Sequence, residues 1–537
     1  DAQRHARAKR RLASRTSMTQ LGKPFRWTSA SWVAIALLSL YLVRLAGAPL
    51  FDVDEGAFAE ASREMLTSGD WGHTTLNGAD RFDKPIFIYW CQAALMALIG
   101  PYDWVARLPS ALAVLAATFG VWRFASKQWG DEAGQRAAFM LGSSLGLLAI
   151  GRAATADGML NALLIATGLC LWSFASTGSR TALRWAYVWC GLGLLTKGPV
   201  ALLIPGVTLF LWSLATDRGR TAWLAFWEPK GWLLMLAIAV PWYLYALQRH
   251  EMAFVEGFFL KHNVQRFTDT LEGHRGNPLY YVMVLPLLLL PWSPWCARLL
   301  GSMRTQWTDP LQRFLWIWVL FVLGFFSLSG TKLPHYMLYG ITPLVLLMAA
   351  QSVKSPTSVA WQALLWICTG LSCALAFAVP FIAAWGASTV TDTWVQPLLA
   401  SAPDGFAVQV AAACVALAGV LLAVTRRCNT WARLMTCVWL VSMLWIGVVI
   451  PWLGQVLQAP FQEVATWARQ HHPEARIVQW RMHQPSFAFY LGNPTTQQPP
   501  SATDWVIVRH DRVQGLPMNR YETAHNHRGL LLLKPIP

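Results

Sequence analysis

FDVDEGAFAEASREMLTSGDWGHTTLNGADRFDKP, residues 51–85, is the acidic stretch around which the rest of the chain is organised. It has eight acidic residues against three basic ones, in a chain with 27 Asp and Glu residues in all. The acidic residues are Asp52, Asp54, Glu55, Glu60, Glu64, Asp70, Asp80 and Asp83. The stretch follows an apolar segment, and charge is costly to bury beside a membrane. We therefore interpret it either as a solvated loop or as part of an active site.

The composition is typical of a protein that crosses a membrane many times. Hydrophobic residues make up 55% of the 537 residues, charged residues make up 13%, and Trp occurs 31 times. The net charge of +16 comes mainly from Lys and Arg in short loops between apolar runs. This placement indicates orientation in a lipid bilayer and argues against nucleic-acid binding. The nine cysteines show no paired metal spacing, so we predict neither a disulfide framework nor a cysteine zinc site.

Thirteen apolar segments are predicted to span the membrane. They are residues 31–47, 107–124, 136–150, 158–175, 184–195, 200–215, 232–247, 279–296, 311–328, 335–350, 360–385, 406–424 and 431–453. Segment 84–99 is too short for a comfortable span, and we predict that it lies in the interface. With this assignment the basic loops fall on the side of the N-terminus, and the acidic stretch falls on the other side.

The chain divides into three predicted parts. Residues 1–30 form a basic cytoplasmic tail, in which Met18 is an alternative start. Residues 31–455 form the transmembrane domain, with a first outer loop and juxtamembrane helices at 51–104. Residues 456–537 form a small α/β domain, because short β-like runs occur at 476–480, 505–509 and 530–533. An odd number of spans places this domain on the outer face, which in a bacterium is the periplasm.

Five groups of polar residues fall on this outer face. They are residues 54–55, 81–85, 155–157, 261–266 and 332–336. Each also has a plain structural explanation: Asp157 as a helix N-cap, Lys332 as a snorkelling cation and Tyr336 as part of an aromatic belt. Their occurrence on one face favours a site, because carboxylates and cations together suit acid–base chemistry on a phosphorylated substrate.

Several of these motifs resemble one known family. DVDEGAFAEASREMLTSGDW, LNG and RFDKPIFIYW resemble the first outer loop of bacterial C-type (GT-C) glycosyltransferases, in the family of protein O-mannosyltransferases (family 39). They look closest to the lipid A 4-amino-4-deoxy-L-arabinose transferases. GLLTKGPVALLIPG, FFLKHNVQRF with HRGNPLYY, and SGTKLPHYMLYGITPL match further stretches in the same order, and the resemblance covers residues 30–350 well.

The resemblance implies a fold and an activity. The fold is an all-α polytopic membrane protein of the GT-C type, with the small C-terminal α/β domain appended. The activity is transfer of a sugar, with inversion, from a polyprenyl-phosphate donor to a lipid acceptor similar to lipid A. The active site and the C-terminus would lie on the periplasmic side of the bacterial inner membrane.

The resemblance also implies roles for the residues that match. Asp54 would be the principal catalytic carboxylate and Asp157 the second. The donor phosphate would be bound by Lys84, Arg266, Lys332 and Tyr336. A divalent, zinc-like metal would be held by Asp83 and His262, with His274 as a rival ligand because the histidine is one position out of register. The predicted site also includes Glu55, Arg81 and Lys197. The aminoarabinose transferases have Glu where this chain has Asp83, and this shorter side chain bears on metal binding.

Two other functions stay open. An enzyme of the same fold could transfer its sugar to Ser or Thr of a protein, and a transporter or flippase for a polyprenyl lipid could share the many spans. Transporters usually show inverted repeats and charged residues near the membrane midplane. The sequence shows no internal repeat, and its charged groups lie at the ends of spans. We therefore expect an enzyme.

Overall fold

The computed structural model of the chain describes residues 29–217, 219–265, 276–354, 359–425 and 430–536. Within these ranges the chain is mostly helical as far as residue 471, and a small mixed sheet follows. Nearly all of the predicted tail at 1–30 lies outside the described residues.

The helices are numbered here in chain order. Those of the first half are α1 Ser29–Leu42, α2 Asp54–Ser68, α3 Phe87–Ile99, α4 Asp103–Trp129, α5 Asp131–Gly142, α6 Leu145–Gly151, α7 Ala156–Thr177, α8 Arg180–Lys197, α9 Val200–Leu214, α10 Gly219–Trp223 and α11 Pro229–Phe254. Those of the second half are α12 Tyr280–Leu288, α13 Pro294–Gln306, α14 Pro310–Leu328, α15 Ile341–Lys354, α16 Val359–Thr389, α17 Val395–Ala400, α18 Phe406–Val424, α19 Thr430–Leu444, α20 Ile450–Leu457, α21 Ala459–His471 and α22 Pro485–Leu491. A π-helix, Val255–Gln265, continues α11, and a 3₁₀-helix, Pro334–Gly340, leads into α15.

Among the described residues, eight helical segments are long and apolar enough to cross a membrane. They are Asp103–Trp129, Ala156–Thr177, Pro229–His262, Pro310–Leu328, Pro334–Val353, Gln362–Thr389, Phe406–Val424 and Thr430–Leu457, and each coincides with a predicted span. Shorter apolar helices include α1 and α9, also at predicted spans, and α3, the segment predicted to lie in the interface. The prediction of an all-α polytopic membrane protein is confirmed. The number of thirteen spans stays a prediction, because length and composition identify eight.

Two predicted spans, 136–150 and 279–296, are each broken into two helices. The first breaks at Ser143 and Ser144, between α5 and α6, and the second breaks between α12 and α13, a region that contains Pro291. The two breaks contact each other: the Leu145 N–H donates to the Leu290 carbonyl (3.0 Å), and Trp292 Nε1 donates to Ser143 Oγ (3.0 Å). Polar groups freed by a broken helix in a membrane need partners inside the protein, and each break supplies partners for the other.

A four-stranded sheet forms the small C-terminal domain. Its strands are β3 Ile477–Gln479, β4 Trp505–Arg509, β5 Tyr521–His527 and β6 Leu530–Pro535, in the order β3-β4-β6-β5, after the hairpin strands β1 Thr75–Leu76 and β2 Ala79–Asp80. Strands β3 and β4 are parallel, whereas β6 pairs antiparallel with β4 and β5. The three predicted β-like runs are confirmed as strands. Strand β5 was missed because only Tyr521 among its side chains is buried. The boundary at 456 stays a prediction.

Candidate active site

The acidic stretch folds mainly into α2, which is buried over most of its length. Asp54 and Glu55 occupy the first turn, where carboxylates interact favourably with the helix dipole. The helix ends at Gly69, whose φ of 70° lies in the left-handed region that favours glycine. Every residue from Glu55 to Met65 is buried, so this part of the stretch is not a solvated loop. Its polar side chains need partners inside the protein.

Glu55 forms a buried ion pair with Arg107 of α4. The Glu55 carboxylate accepts hydrogen bonds from Arg107 Nε (2.8 Å) and Nη2 (2.7 Å), and from the backbone N–H groups of Phe51 (2.9 Å) and Ala154 (2.8 Å). Burial favours the protonated form of Glu55, but the attraction of Arg107 outweighs it and lowers the pKa of Glu55. Glu55 is thus fully engaged by protein groups, and it joins the start of α2 to α4 as a positioning residue.

Asp52 and Asp54 line a cavity of about 450 Å³, here called the carboxylate cavity. Asp54 is exposed. Asp52 accepts hydrogen bonds from the backbone N–H (3.0 Å) and the hydroxyl of Ser486, at the start of α22. Burial raises the pKa of Asp52 to about 7, although the hydrogen bonds from Ser486 oppose this shift. The cavity therefore contains one exposed carboxylate and, beside it, a carboxyl group that exchanges its proton near neutral pH.

Asp157, near the start of α7, also lines the carboxylate cavity, and it is the centre of a polar cluster. Lys197, at the end of α8, donates to Asp157 Oδ1, and the Tyr339 hydroxyl donates to the same oxygen at 3.0 Å. His335 Nε2 lies 3.7 Å from that oxygen. The N-cap of α7 is Thr155, so Asp157 is not the cap that its position in the sequence suggested. Four residues from three separate segments, α7, α8 and the 3₁₀-helix, thus meet in what we call the Asp157 cluster.

Asp83 lies in a second, polar cavity of about 690 Å³. Its Oδ1 lies 2.8 Å from His262 Nε2, and its Oδ2 lies 2.9 Å from Arg81 Nη2. Burial opposes ionisation, but the His262 hydrogen bond and the charges of Arg81 and Lys84 outweigh it and hold the pKa of Asp83 well below its usual range. The structure therefore brings together Arg81, Asp83, Lys84 and His262, as the sequence predicted for this face.

The separation of the Asp83 and His262 side chains bears on the metal predicted between them. Ligand atoms of a four-coordinate zinc ion lie about 3.3 Å apart, because each bond is about 2.0–2.1 Å long. The facing atoms of Asp83 and His262 are 2.8 Å apart, which is a hydrogen-bond distance. The other oxygen of Asp83 contacts Arg81, a cation that repels a metal. This arrangement is that of a hydrogen-bonded ion pair, so a metal at Asp83 and His262 stays a prediction and we derive no reaction step through one.

Lys84 directly follows Asp83 and lines neither cavity. Its ammonium donates to the Asp83 carbonyl at 3.0 Å, and its charge also acts on Asp157. Its contact with the donor phosphate stays a prediction.

Lys332 and Tyr336, like Lys84, line neither of the two cavities. The Lys332 ammonium donates to the carbonyls of Phe326 (3.2 Å), Ser327 (2.6 Å) and Ser329 (2.6 Å) at the end of α14. Cations are favourable there because helix C-termini carry unpaired carbonyl groups. Tyr336 is buried against Phe326, and Lys197 Nζ lies 5.2 Å from its ring centroid. Their predicted contact with the donor phosphate stays a prediction.

Two predicted residues, Arg266 and His274, lie outside the described residues. Their predicted roles as phosphate ligand and rival metal ligand stay predictions.

Several cavity residues were not singled out from the sequence. Asp52 belongs to the quoted acidic stretch, and His335 and Tyr339 follow Lys332 in one motif, so their neighbours carried a signal. Arg152 also lines the carboxylate cavity, and it donates to the carbonyls of Leu40, Val43 and Arg44. A lone Arg after an apolar segment is typically an ordinary flanking charge, so Arg152 could not be recognised as a cavity residue from its sequence context.

The rest of the carboxylate cavity has a mainly apolar wall. This wall includes Leu145, Leu148, Ile150, Trp445, Ile446 and Ile450. A lining that combines carboxylates with aliphatic side chains suits a substrate with a polar head and a hydrocarbon chain.

Comparison with known proteins gives consistent results. A family model described as dolichyl-phosphate-mannose-protein mannosyltransferase matches residues 83–245. ArnT from Cupriavidus metallidurans bound to undecaprenyl phosphate superposes with a TM-score of 0.79 at 24% identity, covering 95% of this chain and 99% of that chain. Its apo form gives a TM-score of 0.77 at 22% identity. These structures establish that the chain has the GT-C fold.

Sequence relatives identify the family within this fold. Undecaprenyl phosphate-alpha-4-amino-4-deoxy-L-arabinose arabinosyl transferase of Serratia proteamaculans is 31% identical over 337 residues, covering 61% of this chain and 60% of that protein, less than two thirds of its length. The protein of the same name from Yersinia enterocolitica is 30% identical over 440 residues, covering 80% of this chain and 77% of that protein. On the strength of this longer match, the chain belongs to the family of undecaprenyl phosphate-alpha-4-amino-4-deoxy-L-arabinose arabinosyl transferases.

Proposed function

We propose that this chain is an integral-membrane glycosyltransferase that moves a sugar from a polyprenyl-phosphate donor to a lipid acceptor similar to lipid A. The names of its relatives support 4-amino-4-deoxy-L-arabinose as the sugar and undecaprenyl phosphate as the carrier. The reaction takes place on the periplasmic face of a bacterial inner membrane, where the outer loop 51–104 and the C-terminal domain lie.

The observation that carries this proposal is the mixed lining of the carboxylate cavity, which combines carboxylates with aliphatic side chains. Asp52, Asp54 and Asp157 line it together with aliphatic side chains such as Leu148 and Ile446. The aliphatic wall accepts the first isoprene units of the donor, and the carboxylates face the sugar. A water-soluble sugar nucleotide would gain nothing from the aliphatic wall.

Asp54 is the general base in the proposed reaction. It is exposed in the cavity, so its carboxylate reaches a hydroxyl group of the acceptor. Asp54 takes the hydroxyl proton as the acceptor oxygen attacks the anomeric carbon. The bond from this carbon to the phosphate oxygen breaks in the same displacement, which inverts the configuration.

The leaving phosphate gains negative charge, and fixed cations stabilise it. Lys84 is the first candidate because it follows Asp83 in the chain and its charge acts on both Asp83 and Asp157. Lys332 and Tyr336 stay predicted phosphate ligands that would have to rearrange to reach it. Asp157, as the predicted second carboxylate, holds Lys197 and His335 in place. A divalent metal at Asp83 and His262 also stays a proposal, and no step is assigned to it.

A protein acceptor is the second candidate, and the mannosyltransferase description of the domain at 83–245 favours it. A purified assay separates the candidates. The chain, in detergent, is incubated with undecaprenyl-phosphate-linked aminoarabinose and either lipid A or a Ser/Thr-rich peptide, and both products are measured by mass spectrometry. We expect undecaprenyl phosphate and modified lipid A. Modified peptide alone would establish the second candidate, and a donor that stays intact in both reactions would exclude a glycosyltransferase with these substrates.

Asp54→Asn tests the mechanism in the same assay. The variant keeps the shape of the side chain and loses its basicity, so kcat is expected to fall by about 100-fold or more. Asp70→Asn is the matched control, because Asp70 lies in the same loop, pairs with Arg249 at 2.7 Å and lines neither cavity. Near wild-type turnover by the Asp54 variant would remove this residue from the mechanism.

A further inference from the structure

Three metal-ligating side chains meet outside the carboxylate cavity. His73 precedes strand β1, Asp80 ends strand β2, and His250 lies near the end of α11. One ligand atom from each lies within 4.8 Å of the other two. The hairpin and the helix are far apart in sequence, so the fold creates this cluster and the sequence pattern does not show it.

Two separations within the cluster, each to a different oxygen of Asp80, are close to those of ligands around one ion. His73 Nε2 lies 3.2 Å from Asp80 Oδ1, and His250 Nδ1 lies 3.4 Å from Asp80 Oδ2. Ligand atoms of a tetrahedral zinc ion are about 3.3 Å apart, given bonds of about 2.0–2.1 Å. Asp83 and His262, at 2.8 Å, are closer than this. The His73 cluster therefore fits a metal better than the pair that the family resemblance suggested.

His73 supplies a second observation. Its Nε2 is buried and has no hydrogen-bond partner among the described residues, although Asp80 is nearby. Ligands of one ion behave in this way, because they point toward a shared centre and not toward each other.

Exposure of the cluster leaves a place for water. The side chains of His73 and His250 are both 10% exposed, whereas that of Asp80 is 53% exposed. The two imidazoles thus form the largely buried inner side of the site, and the carboxylate faces solvent. Two histidines, one carboxylate and one water complete a four-coordinate site, a donor set that suits zinc-type ions.

We propose that His73, Asp80 and His250 bind a zinc-type divalent cation that fastens the β1–β2 hairpin to the end of α11. The Phe82 ring packs against the His250 ring, with centroids 5.1 Å apart, and Phe82 immediately precedes Asp83. The ion therefore also fixes the backbone that presents Asp83 to the polar cavity. This proposal does not depend on the proposed function, because it concerns metal binding alone.

Metal counting tests the proposal. The full-length protein is purified in detergent, treated with a chelator, and titrated with Zn²⁺, with bound metal measured by mass spectrometry. Co²⁺ serves as a second probe, because its absorption reports tetrahedral coordination. We expect His73→Gln, Asp80→Asn and His250→Gln each to bind one equivalent less than the wild-type protein. We also expect Zn²⁺ to raise the Tm of the wild-type protein and not that of these variants.

Control variants separate this site from other sites. His471→Gln changes an exposed histidine of the C-terminal domain, and it should keep the wild-type stoichiometry. Asp83→Asn and His262→Gln should also keep the equivalent of zinc that the His73 cluster binds. If the wild-type protein binds two equivalents and either of these variants binds one, the second ion belongs to the Asp83–His262 pair. Asp80→Asn alters a half-exposed side chain, so of the three variants it should disturb folding least. Unchanged zinc stoichiometry in Asp80→Asn and His73→Gln, or a wild-type protein without bound zinc, would overturn the proposal and leave a histidine–aspartate ion pair.

Discussion

Asp52 and Asp54 are only two residues apart, yet their environments differ. Asp54 is exposed in the carboxylate cavity, while Asp52 is held by the backbone and hydroxyl of Ser486. The sequence identified the cluster of carboxylates, but it did not show which of them are exposed in the cavity and which are held by partners. This difference depends on a partner more than 400 residues later in the chain, and such a contact leaves no local pattern.

Asp52 is predicted to make stability depend on pH. Burial raises its pKa from 3.8 to about 7, so the folded protein holds a proton in this range that the unfolded chain has lost. The stabilising contribution is complete below the unfolded pKa and is lost as the pH rises through the folded pKa. Asp52→Asn stays neutral, so it should lose less stability than the wild-type protein between about pH 4 and about pH 8.

Thermal unfolding of both proteins across this pH range measures the effect. Glu474→Gln, a change at an exposed carboxylate, should follow the wild-type curve. An Asp52→Asn curve parallel to that of the wild-type protein would show that Asp52 titrates normally.

Lys84 and Lys332 are predicted to have separable effects. Lys84 follows Asp83 and its ammonium bonds to the Asp83 carbonyl, whereas Lys332 contacts three carbonyls at the end of α14. Lys84→Ala should raise the KM for the donor by about tenfold or more, because a charge-assisted hydrogen bond contributes about 1.5–3 kcal/mol. Lys332→Ala should lower Tm more than Lys84→Ala and raise the KM less. A larger KM effect for Lys332→Ala would place its ammonium on the donor phosphate.

At the scale of elements, the contact of α2 with α22 joins the membrane domain to the C-terminal domain. Gly56 lies where the two helices meet. A Cβ added there would lie 2.5 Å from the Ser486 backbone nitrogen and 2.1 Å from Asp52 Oδ1. The absence of a side chain at Gly56 therefore permits both the close approach and the hydrogen bonds of Asp52.

Gly56→Ala is predicted to destabilise this contact. Overpacking a buried site costs about 1–3 kcal/mol, and the Asp52–Ser486 hydrogen bonds would be strained at the same time. Limited proteolysis should release the C-terminal domain faster in the variant, and Tm should fall. Gly301→Ala in α13 is the matched control, because no heavy atom lies within 4 Å of its added Cβ. Equal behaviour of the two variants would show that α2 tolerates a wider separation.

The helical elements were predictable from apolar length, and their breaks were not. Segments 136–150 and 279–296 read as continuous spans because Ser143 and Pro291 lie within apolar surroundings. The structure shows that the two breaks satisfy each other through Leu145 and Trp292. A single span carries no sign of a partner break elsewhere in the chain, so the sequence could not reveal this pairing.

At the scale of the whole molecule, long apolar segments and basic loops predicted the polytopic fold, and the motifs predicted the family. The cluster of His73, Asp80 and His250 was not predicted, because it has no local sequence pattern. His73, Asp80 and His250 belong to no spacing motif, and only the packing of α11 against the first loop brings them together. Local patterns therefore predicted the elements, whereas sites that join distant elements needed the structure.

The orientation of the molecule is the last prediction, and α4 makes it testable without substrate. Helix α4 has 27 residues, which span about 40 Å at 1.5 Å per residue, more than the hydrocarbon thickness. We therefore predict that its two ends lie on opposite sides of the membrane. Ser68, at the end of α2, and Gln128, at the end of α4, are both exposed, so each can carry a single reporter cysteine in a background that lacks the nine native ones.

We expect Ser68→Cys to react with an impermeant maleimide in intact spheroplasts and Gln128→Cys to react only after lysis. Labelling of Gln128→Cys alone from outside would invert the orientation, and labelling of both from outside would mean that α4 does not cross.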